Sequence, residues 1–330
     1  VLSFLVSIVI LTNTILIICW VHFVGSNEKK EVVALKREWP KISILIAARN
    51  EEQNIQRCLS SLISLDYPKE YFEILIGDDD SSDETYSIIH SFIENHSNCF
   101  LFKIQDQITH QRGKANVLAQ LANKASGQYY FITDADMRLP KSWVKEMIVA
   151  SEDNIDLVTG VTSVEDNKWQ NIDWLFGLAI VYLLDCLDRP VTTMGNNMMI
   201  SKSAYDAVGG YETIPFSITE DMELFQQVKK AGFRTKHLFN NSVLAFTMSA
   251  KGLITLFHQR KRWMHGALQL KWTMVTILII QALYFPFIIG VFIINPIVGL
   301  SLFIIKTALQ SLFIYIAAVT LKLKTSIMSI

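Results

Sequence analysis

Four short stretches carry side chains able to do chemistry. Asp78-Asp79-Asp80-Ser81-Ser82-Asp83 and Asp134-Ala135-Asp136 each follow an apolar run. Thr219-Glu220-Asp221 opens a helical pattern, and Gln259-Arg260-Lys261-Arg262-Trp263 precedes a long uncharged segment. Carboxylates at the ends of buried strands are placed to accept hydrogen bonds from a base or a ribose. The plain alternative for 78–83 is an acidic turn that caps the next helix, because Asp and Ser favour caps and turns. In Asp134-Ala135-Asp136 one small residue separates two carboxylates that can both approach a divalent cation. Hard oxygens suit Mg²⁺ or Mn²⁺ that also holds diphosphate oxygens. An isolated Asp-x-Asp is a common surface turn, and its position directly after Phe131-Ile132-Thr133 is what gives this one weight.

Ser217 and Glu220 have capping-box spacing, and acidic residues suit the N-terminus of any helix. Glu220, Asp221 and Glu223 together nevertheless exceed what a cap needs, and one carboxylate there can serve as general base toward an attacking hydroxyl. On a helix, Gln259, Arg262 and Trp263 share a face, while Leu253, Leu256, Phe257, Met264, Ala267 and Leu268 form an apolar stripe. The pattern predicts a helix lying along a membrane surface. A juxtamembrane basic cluster that attracts anionic lipid accounts for the charges alone. Trp as a stacking face beside an Arg able to bond in bidentate fashion also suits a sugar or a diphosphate. Arg112-Gly113-Lys114 adds positive charge for a diphosphate, with Gly113 allowing close backbone approach, and reads equally as a plain loop. His90, His96, His110, His237, His258 and His265 form no ligand-spaced cluster. Cys19, Cys58, Cys99 and Cys186 show no paired spacing, which predicts free thiols in a reducing compartment.

The elements that must position these groups alternate. Ile42 to Ala48 is a β-branched, nearly continuous apolar run, the pattern of a strand buried on both faces, and a helical stretch to about Leu65 follows. Phe72 to Gly77, Phe100 to Ile104 and Tyr129 to Thr133 are further strands, with helices at 83–93 and 115–124 between them. Strands alternating with helices predict an α/β domain with a mostly parallel sheet, whose ligands bind beyond the C-terminal strand ends. Every acidic cluster before residue 140 falls at such an end.

Around this domain the chain is apolar. Of 330 residues 51% are hydrophobic and 18% charged, and the mean hydropathy is +0.29: too apolar for a soluble domain and too charged to be all membrane. The net charge of −1 supplies no basic field for nucleic acid. Val1 to Val24 is uncharged and long enough to cross the roughly 30 Å hydrocarbon layer. It lacks the positive start and small-residue cleavage site of a signal peptide, so a retained anchor is expected. No charge occurs between Lys271 and Lys306, and Asn295-Pro296 breaks the run, predicting spans at 274–294 and 297–319. The basic clusters Lys29, Lys30, Lys36, Arg37; Arg260, Lys261, Arg262, Lys271; and Lys322, Lys324 can share one side, which puts the central domain in the cytoplasm. Lys306 inside the last span is costly at about 3 kcal/mol and must snorkel, pair or mark a polar path.

In this order the elements resemble membrane-bound family 2 glycosyltransferases, the group that includes synthases of cellulose, chitin, hyaluronan and poly-N-acetylglucosamine. The resemblance spans 42–263 and is carried by Ile44-Leu-Ile-Ala-Ala-Arg-Asn-Glu-Glu52, Asp78-Asp79, Asp134-Ala-Asp136, Thr219-Glu-Asp221 and Gln259-Arg-Lys-Arg-Trp263. It implies a GT-A type nucleotide-sugar-binding domain at 42–252. An anchor at 1–24, a linker at 25–41, an interfacial helix at 253–272 and two further spans at 273–330 complete the expected chain. Ala47, Arg49, Glu51, Asp78, Asp79, Arg112, Lys114, Asp134, Gln259, Arg262 and Trp263 are implied to bind the nucleotide-sugar. Asp134 and Asp136 are implied to hold Mg²⁺ or Mn²⁺, and Asp221 to be the base, with Glu220 beside it. Gly195, Asn196, Asn197 and Trp263 are implied to face the acceptor, with Val208-Gly-Gly-Tyr211 as the turn beyond. Ala47 stands where the family often has proline, and Asp80 where glycine usually follows the acidic pair. The expected activity is inverting transfer from a UDP-linked sugar to a lipid or lipid-linked acceptor in the plasma membrane. Three spans are fewer than polymer-secreting members have, so a processive synthase, alone or with an oligomeric or pore-forming partner, is the alternative. A non-catalytic scaffold is the alternative from another class.

Overall fold

The computed structural model describes residues 2–27, 39–108, 110–270 and 272–323. It divides into a sheet unit, Glu31–Trp174 with Thr192–Lys251, and a helical unit, Val1–Lys30, Leu175–Val191 and Gly252–Ile330.

In the sheet unit, β1 (Ile42–Ala48) is apolar throughout apart from Ser43, and its side chains are buried at all positions but one, as a strand covered on both faces requires. It pairs in parallel with β2 (Phe72–Asp78) on one side and β4 (Tyr129–Asp134) on the other. Outside β2 lies β3 (Cys99–Lys103), also parallel. The crossovers are α2 (Ile55–Ile63), α3 (Thr85–Ile93) and α4 (Lys114–Ala122). Each element falls within a few residues of its expected limits, since buried apolar runs and turn residues are local signals.

Beyond β4 the pattern changes. After α5 (Trp143–Ser151) come β5 (Leu157–Thr159), β6 (Thr162–Val164), α6 (Lys168–Cys186), β7 (Asn197–Ser201), α7 (Lys202–Ala207), α8 (Gly210–Thr213), α9 (Glu220–Lys230), β8 (Thr235–His237) and β9 (Ala245–Thr247). The seven-stranded order is β3-β2-β1-β4-β7-β5-β8. β7 runs antiparallel to both β4 and β5, while β5 and β8 are parallel. The sheet is thus mostly parallel with one reversed strand. That reversal brings the start of β7 beside the end of β4, Asn197 opposite Thr133. β6 and β9 pair separately. Ile42, Ile44, Ile46, Ile74, Ile76, Phe131, Trp143 and Met199 lie in one continuous core, with Trp143 edge-on to Phe131 at 5.0 Å.

The helical unit contains α1 (Leu2–Asn27), α6 from Leu175 onward, α10 (Leu253–Leu268), α11 (Trp272–Ile294) and α12 (Pro296–Thr320). Stretches at Ser7–Val24, Met274–Ile294 and Pro296–Thr320 are long and apolar enough to cross a membrane. α1, α11 and α12 all pack on one another. Val9, Tyr284, Ile288 and Val291 form their shared core, and Trp20 lies edge-on to Tyr182 and Phe313. The expected break is a cap: Asn295 accepts from the Val298 N–H at 3.2 Å, and Pro296 begins α12. Lys306 pairs within the unit, donating to Gln310 Oε1 at 2.5 Å and lying over the Tyr284 and Phe285 rings. Lys29, Lys30, Lys36, Arg37, Lys271 and Lys324, with most of the 25–41 linker, lie outside the described residues.

Candidate active site

Sheet register assembles the first part of the site. Asp78 lies opposite Ala48, and Asp134 opposite Ala47, so the two carboxylates flank the C-terminal end of β1. With strands about 4.8 Å apart they stand roughly 10 Å from each other. Asp78 is 1% exposed. Its Oδ2 accepts weakly from the Ser81 N–H at 3.4 Å, and its buried Oδ1 has no partner among the described residues. A buried carboxylate oxygen left unbonded is costly, which marks it as an acceptor awaiting a donor. The Asp79 N–H bonds to Ala48 O at 2.8 Å, and its carboxylate meets Arg49 at 3.3 Å, a solvent-facing pair of little energetic weight. The helix-entry work goes instead to Asp83, which accepts from the Thr85 N–H and Oγ1–H at 3.0 and 2.6 Å. The cap-and-turn reading of 78–83 therefore holds at Asp83. Glu51 accepts from Asn54 at 2.9 Å. Burial lifts its carboxyl above the ordinary value, partly offset by that bond and reinforced by Asp136, Asp134 and Asp83.

The second part centres on Lys114, at the start of α4. Its ammonium donates to Asp134 Oδ1 at 2.5 Å and to Gly195 O at 3.3 Å, and meets Glu220 Oε1 at 3.5 Å. Burial opposes its charge, but Asp134, Glu220 and Asp221 outweigh that and hold its pKa above the ordinary lysine value. The Gly195 N–H donates to Asp221 Oδ2 at 2.9 Å, and the Met222 N–H to Oδ1 at 2.8 Å. Asp134, Lys114, Gly195, Glu220 and Asp221, spread over 108 residues, thus form one bonded cluster. Glu220 is raised by burial, against Lys114, with Asp221 and Asp134 adding. Asp136 is raised by burial and by Asp134, and accepts from Thr247 Oγ1 at 2.6 Å. No three His, Cys, Asp or Glu side chains form a ready-made cation cage among the described residues. Two carboxylates beside an ammonium suit a cation only if ligand oxygens complete its shell, which is how Mg²⁺ is commonly bound.

Four expectations change. The capping box at Ser217 and Glu220 does not form: Thr219 is the N-cap without a side-chain bond, Ser217 accepts from the Thr219 N–H, and Glu220 turns to Lys114. Gly113 has open space around it and φ of 54°, ψ of −135°, so the fold asks it for a conformation closed to other residues. Asn197, expected at the acceptor, is fully buried; it bonds Trp143 Nε1, Val161 O and Val243 O and acts as a core post. Its neighbour Asn196 is also buried, 8% exposed, with its carbonyl accepting from Thr133 Oγ1 and its Oδ1 from Thr162 Oγ1. Residues 175–191 of the expected 42–252 domain group with the helical unit. Arg112 is exposed, and Gln259, Arg262 and Trp263 belong to the helical unit, where Arg260 lies over the Trp263 ring at 4.1 Å. Sequence reading missed Thr247, Arg57 and Glu165, which hold the 134–136 turn; their separation leaves no local pattern to find.

The chain was compared with known proteins on this basis. A model described as Glycosyl transferase family 21 matches residues 2–329. A Beta-monoglucosyldiacylglycerol synthase of Synechocystis sp. is 27% identical over 70% of this chain and 48% of its own length. A Poly-beta-1,6-N-acetyl-D-glucosamine synthase of Staphylococcus epidermidis is 32% identical over 68% of this chain and 54% of its own length. The chain therefore spans about half the length of the curated relatives it matches. Among solved structures, the mannosyltransferase PcManGT from Pyrobaculum calidifontis, in complex with GDP-Man and Mn²⁺, has a TM-score of 0.64 at 16% identity and covers 97% of this chain and 98% of its own. That likeness establishes a GT-A-like fold, as the family 2 resemblance implies. With the family model matching almost end to end, the chain belongs to glycosyl transferase family 21.

Proposed function

We propose that this protein transfers a sugar from a nucleotide-sugar, preferentially UDP-linked, to a lipid or lipid-linked acceptor at a membrane, with inversion at the anomeric carbon. The observation that carries the reading is the bonded cluster in which Asp134 and the Glu220-Asp221 pair meet across Lys114 and Gly195. In the reaction, the acceptor hydroxyl oxygen forms a bond to the anomeric carbon while the bond from that carbon to the diphosphate breaks. The hydroxyl proton passes to the Asp221 carboxylate, and the nucleoside diphosphate leaves with the bonding electron pair. Asp221 is suited to this because two backbone N–H groups fix its orientation. Asp134 and Asp136 would hold Mg²⁺ or Mn²⁺, whose chemistry is to neutralise the departing diphosphate. Lys114 adds positive charge on the same side. Asp78 and Asp79, at the end of β2, take the nucleoside through Asp78 Oδ1, with Ala47, Arg49, Glu51 and Arg112 around it. Gly195 and Asn196 face the acceptor, and Gln259, Arg262 and Trp263 of α10 are the diphosphate- and acceptor-binding side chains that the family resemblance implies.

The three apolar helices and the diacylglycerol named in one relative support a membrane acceptor. Arg260, Lys261, Arg262 and Lys322 flanking the spans support a plasma-membrane protein with a cytoplasmic sheet unit. Replacing Asp221 by Asn should leave nucleotide-sugar binding intact and lower transfer about 10²–10⁴-fold; undiminished turnover would remove Asp221 as base. A second reading, processive synthesis with an oligomeric or pore-forming partner, is favoured by the polysaccharide synthase relative. Sizing the product of the purified protein separates one added sugar from a ladder.

A further inference from the structure

Asp136 is gripped at two points by residues from across the sheet unit. Thr247, the last residue of β9 and 6% exposed, donates its hydroxyl to Asp136 Oδ2 at 2.6 Å. Arg57 on α2 donates Nη2–H to the Asp136 carbonyl at 2.6 Å. Arg57 is itself fixed, since its Nη1–H donates to Glu165 Oε2 at 2.6 Å, and the other oxygen of Glu165 accepts from Arg138 at 2.6 Å. The ring closes through the backbone. The Glu165 N–H bonds to Thr247 O at 3.0 Å, and Arg138 and Phe246 exchange bonds at 2.8 and 2.9 Å, with the Arg138 guanidinium 4.3 Å over the Phe246 ring.

A carboxylate on a short turn has two free side-chain torsions, and a cation shared by Asp134 and Asp136 needs both groups aimed at one point. A hydroxyl bonded to one oxygen sets the carboxylate plane, and a guanidinium on the adjacent carbonyl sets the backbone beneath it. Two arginines against one glutamate also leave a net positive charge beside the acidic turn. We propose that Thr247, supported by the Arg57–Glu165–Arg138 clasp, is a positioning residue that holds the Asp136 carboxylate in its cation-binding orientation. The assignment rests on the reading of Asp134 and Asp136 as cation ligands given above.

The test uses the protein with both its units in detergent, titrated with Mn²⁺ in the presence of UDP and followed by loss of the free-Mn²⁺ electron paramagnetic resonance signal. Thr247→Val keeps the side-chain shape and removes the hydroxyl, and should weaken Mn²⁺ binding about 10–100-fold. Thr247→Ser keeps the hydroxyl and should stay close to the parent protein. Turnover of Thr247→Val should recover at high Mn²⁺, as a raised metal requirement with little change in kcat. A merely structural role would shift the melting temperature and leave the Mn²⁺ affinity alone. Glu165→Gln, which loosens both arginines while leaving Thr247 in place, should weaken Mn²⁺ in the same direction and keeps the idea testable if the valine variant does not fold. Parent-like affinity in both Thr247→Val and Glu165→Gln, or a serine variant as weak as the valine one, would overturn the assignment. Failure of the parent protein to bind Mn²⁺ with UDP would instead remove the cation reading itself and this role with it.

Discussion

Gly195 is set by contact: a Cβ there would lie 2.6 Å from Asp221 Cβ and 2.8 Å from its Oδ2. Gly195→Ala should therefore push the carboxylate aside, and a displacement of about 1 Å lowers turnover on the order of 10²-fold. Steady-state kinetics with nucleotide-sugar binding measured in parallel checks this; unchanged kcat would show that Asp221 is not held by this contact. His237 illustrates burial acting on an ionisable group away from the site. It is 3% exposed, with Nδ1 2.8 Å from Thr159 Oγ1, and burial lowers its pKa to about 4 from 6.5. Its neutral form is thus the native one. Between pH 6.5 and about 4 the unfolded chain takes up a proton that the folded chain refuses, so stability falls as pH falls. At pH 5 the loss relative to pH 7 is about 2 kcal/mol. The raised carboxylates of Glu51 and Glu220 act with the opposite sign, so the expected result is a difference. Going from pH 7 to pH 5, the denaturation midpoint of His237→Gln should fall less, or rise more, than that of the parent. Asp80, noted from the resemblance as standing where glycine is usual, has φ of 55°. Aspartate tolerates that left-handed region better than most residues, which explains how the departure is accommodated.

At the scale of elements, what could be read in advance was whatever depends on neighbours in the chain. β1, β2 and β4 are buried apolar runs, and α11, uncharged, and α12, apolar apart from Lys306, are separated by Asn295-Pro296; each was legible from composition and turn residues alone. The Asn295 cap should contribute about 1 kcal/mol, so Asn295→Ala should lower the melting temperature in detergent while Asn295→Ser should not. Equal melting of the two variants would show that Pro296 alone starts α12. The short strands β5, β6, β8 and β9 were not anticipated, since three-residue segments carry too few side chains to show a period and owe their existence to their partners. α9 shows the same limit. Its first turn has a capping-box sequence, yet Glu220 forgoes the cap for the Lys114 ammonium, a partner 106 residues away that no local spacing reveals.

For the molecule as a whole, the convergent acidic cluster lies in the sheet unit, and three helices long and apolar enough to cross a membrane lie in the helical unit. A nucleotide that binds only the folded sheet unit must raise its melting point, by an amount equivalent to about 2.7 kcal/mol at a hundredfold excess over Kd. UDP with Mn²⁺ should produce that shift and UDP in Asp134→Asn less of it; no shift with any nucleotide would favour a non-catalytic scaffold. By itself the amino-acid order settled the class of the first four strands and of the long apolar helices: which runs are buried strands, which helices are apolar enough to span, and which carboxylates stand at the ends of those strands. Those properties follow from burial and periodicity within a few residues. Only the tertiary structure decided that Lys114 and Gly195 join Asp134 to Glu220 and Asp221, that Asn197 is a core post, and that Thr247 and Arg57 grip Asp136. Such contacts come from strand order and register, which bring together residues tens to more than a hundred positions apart, and no local pattern encodes that distance.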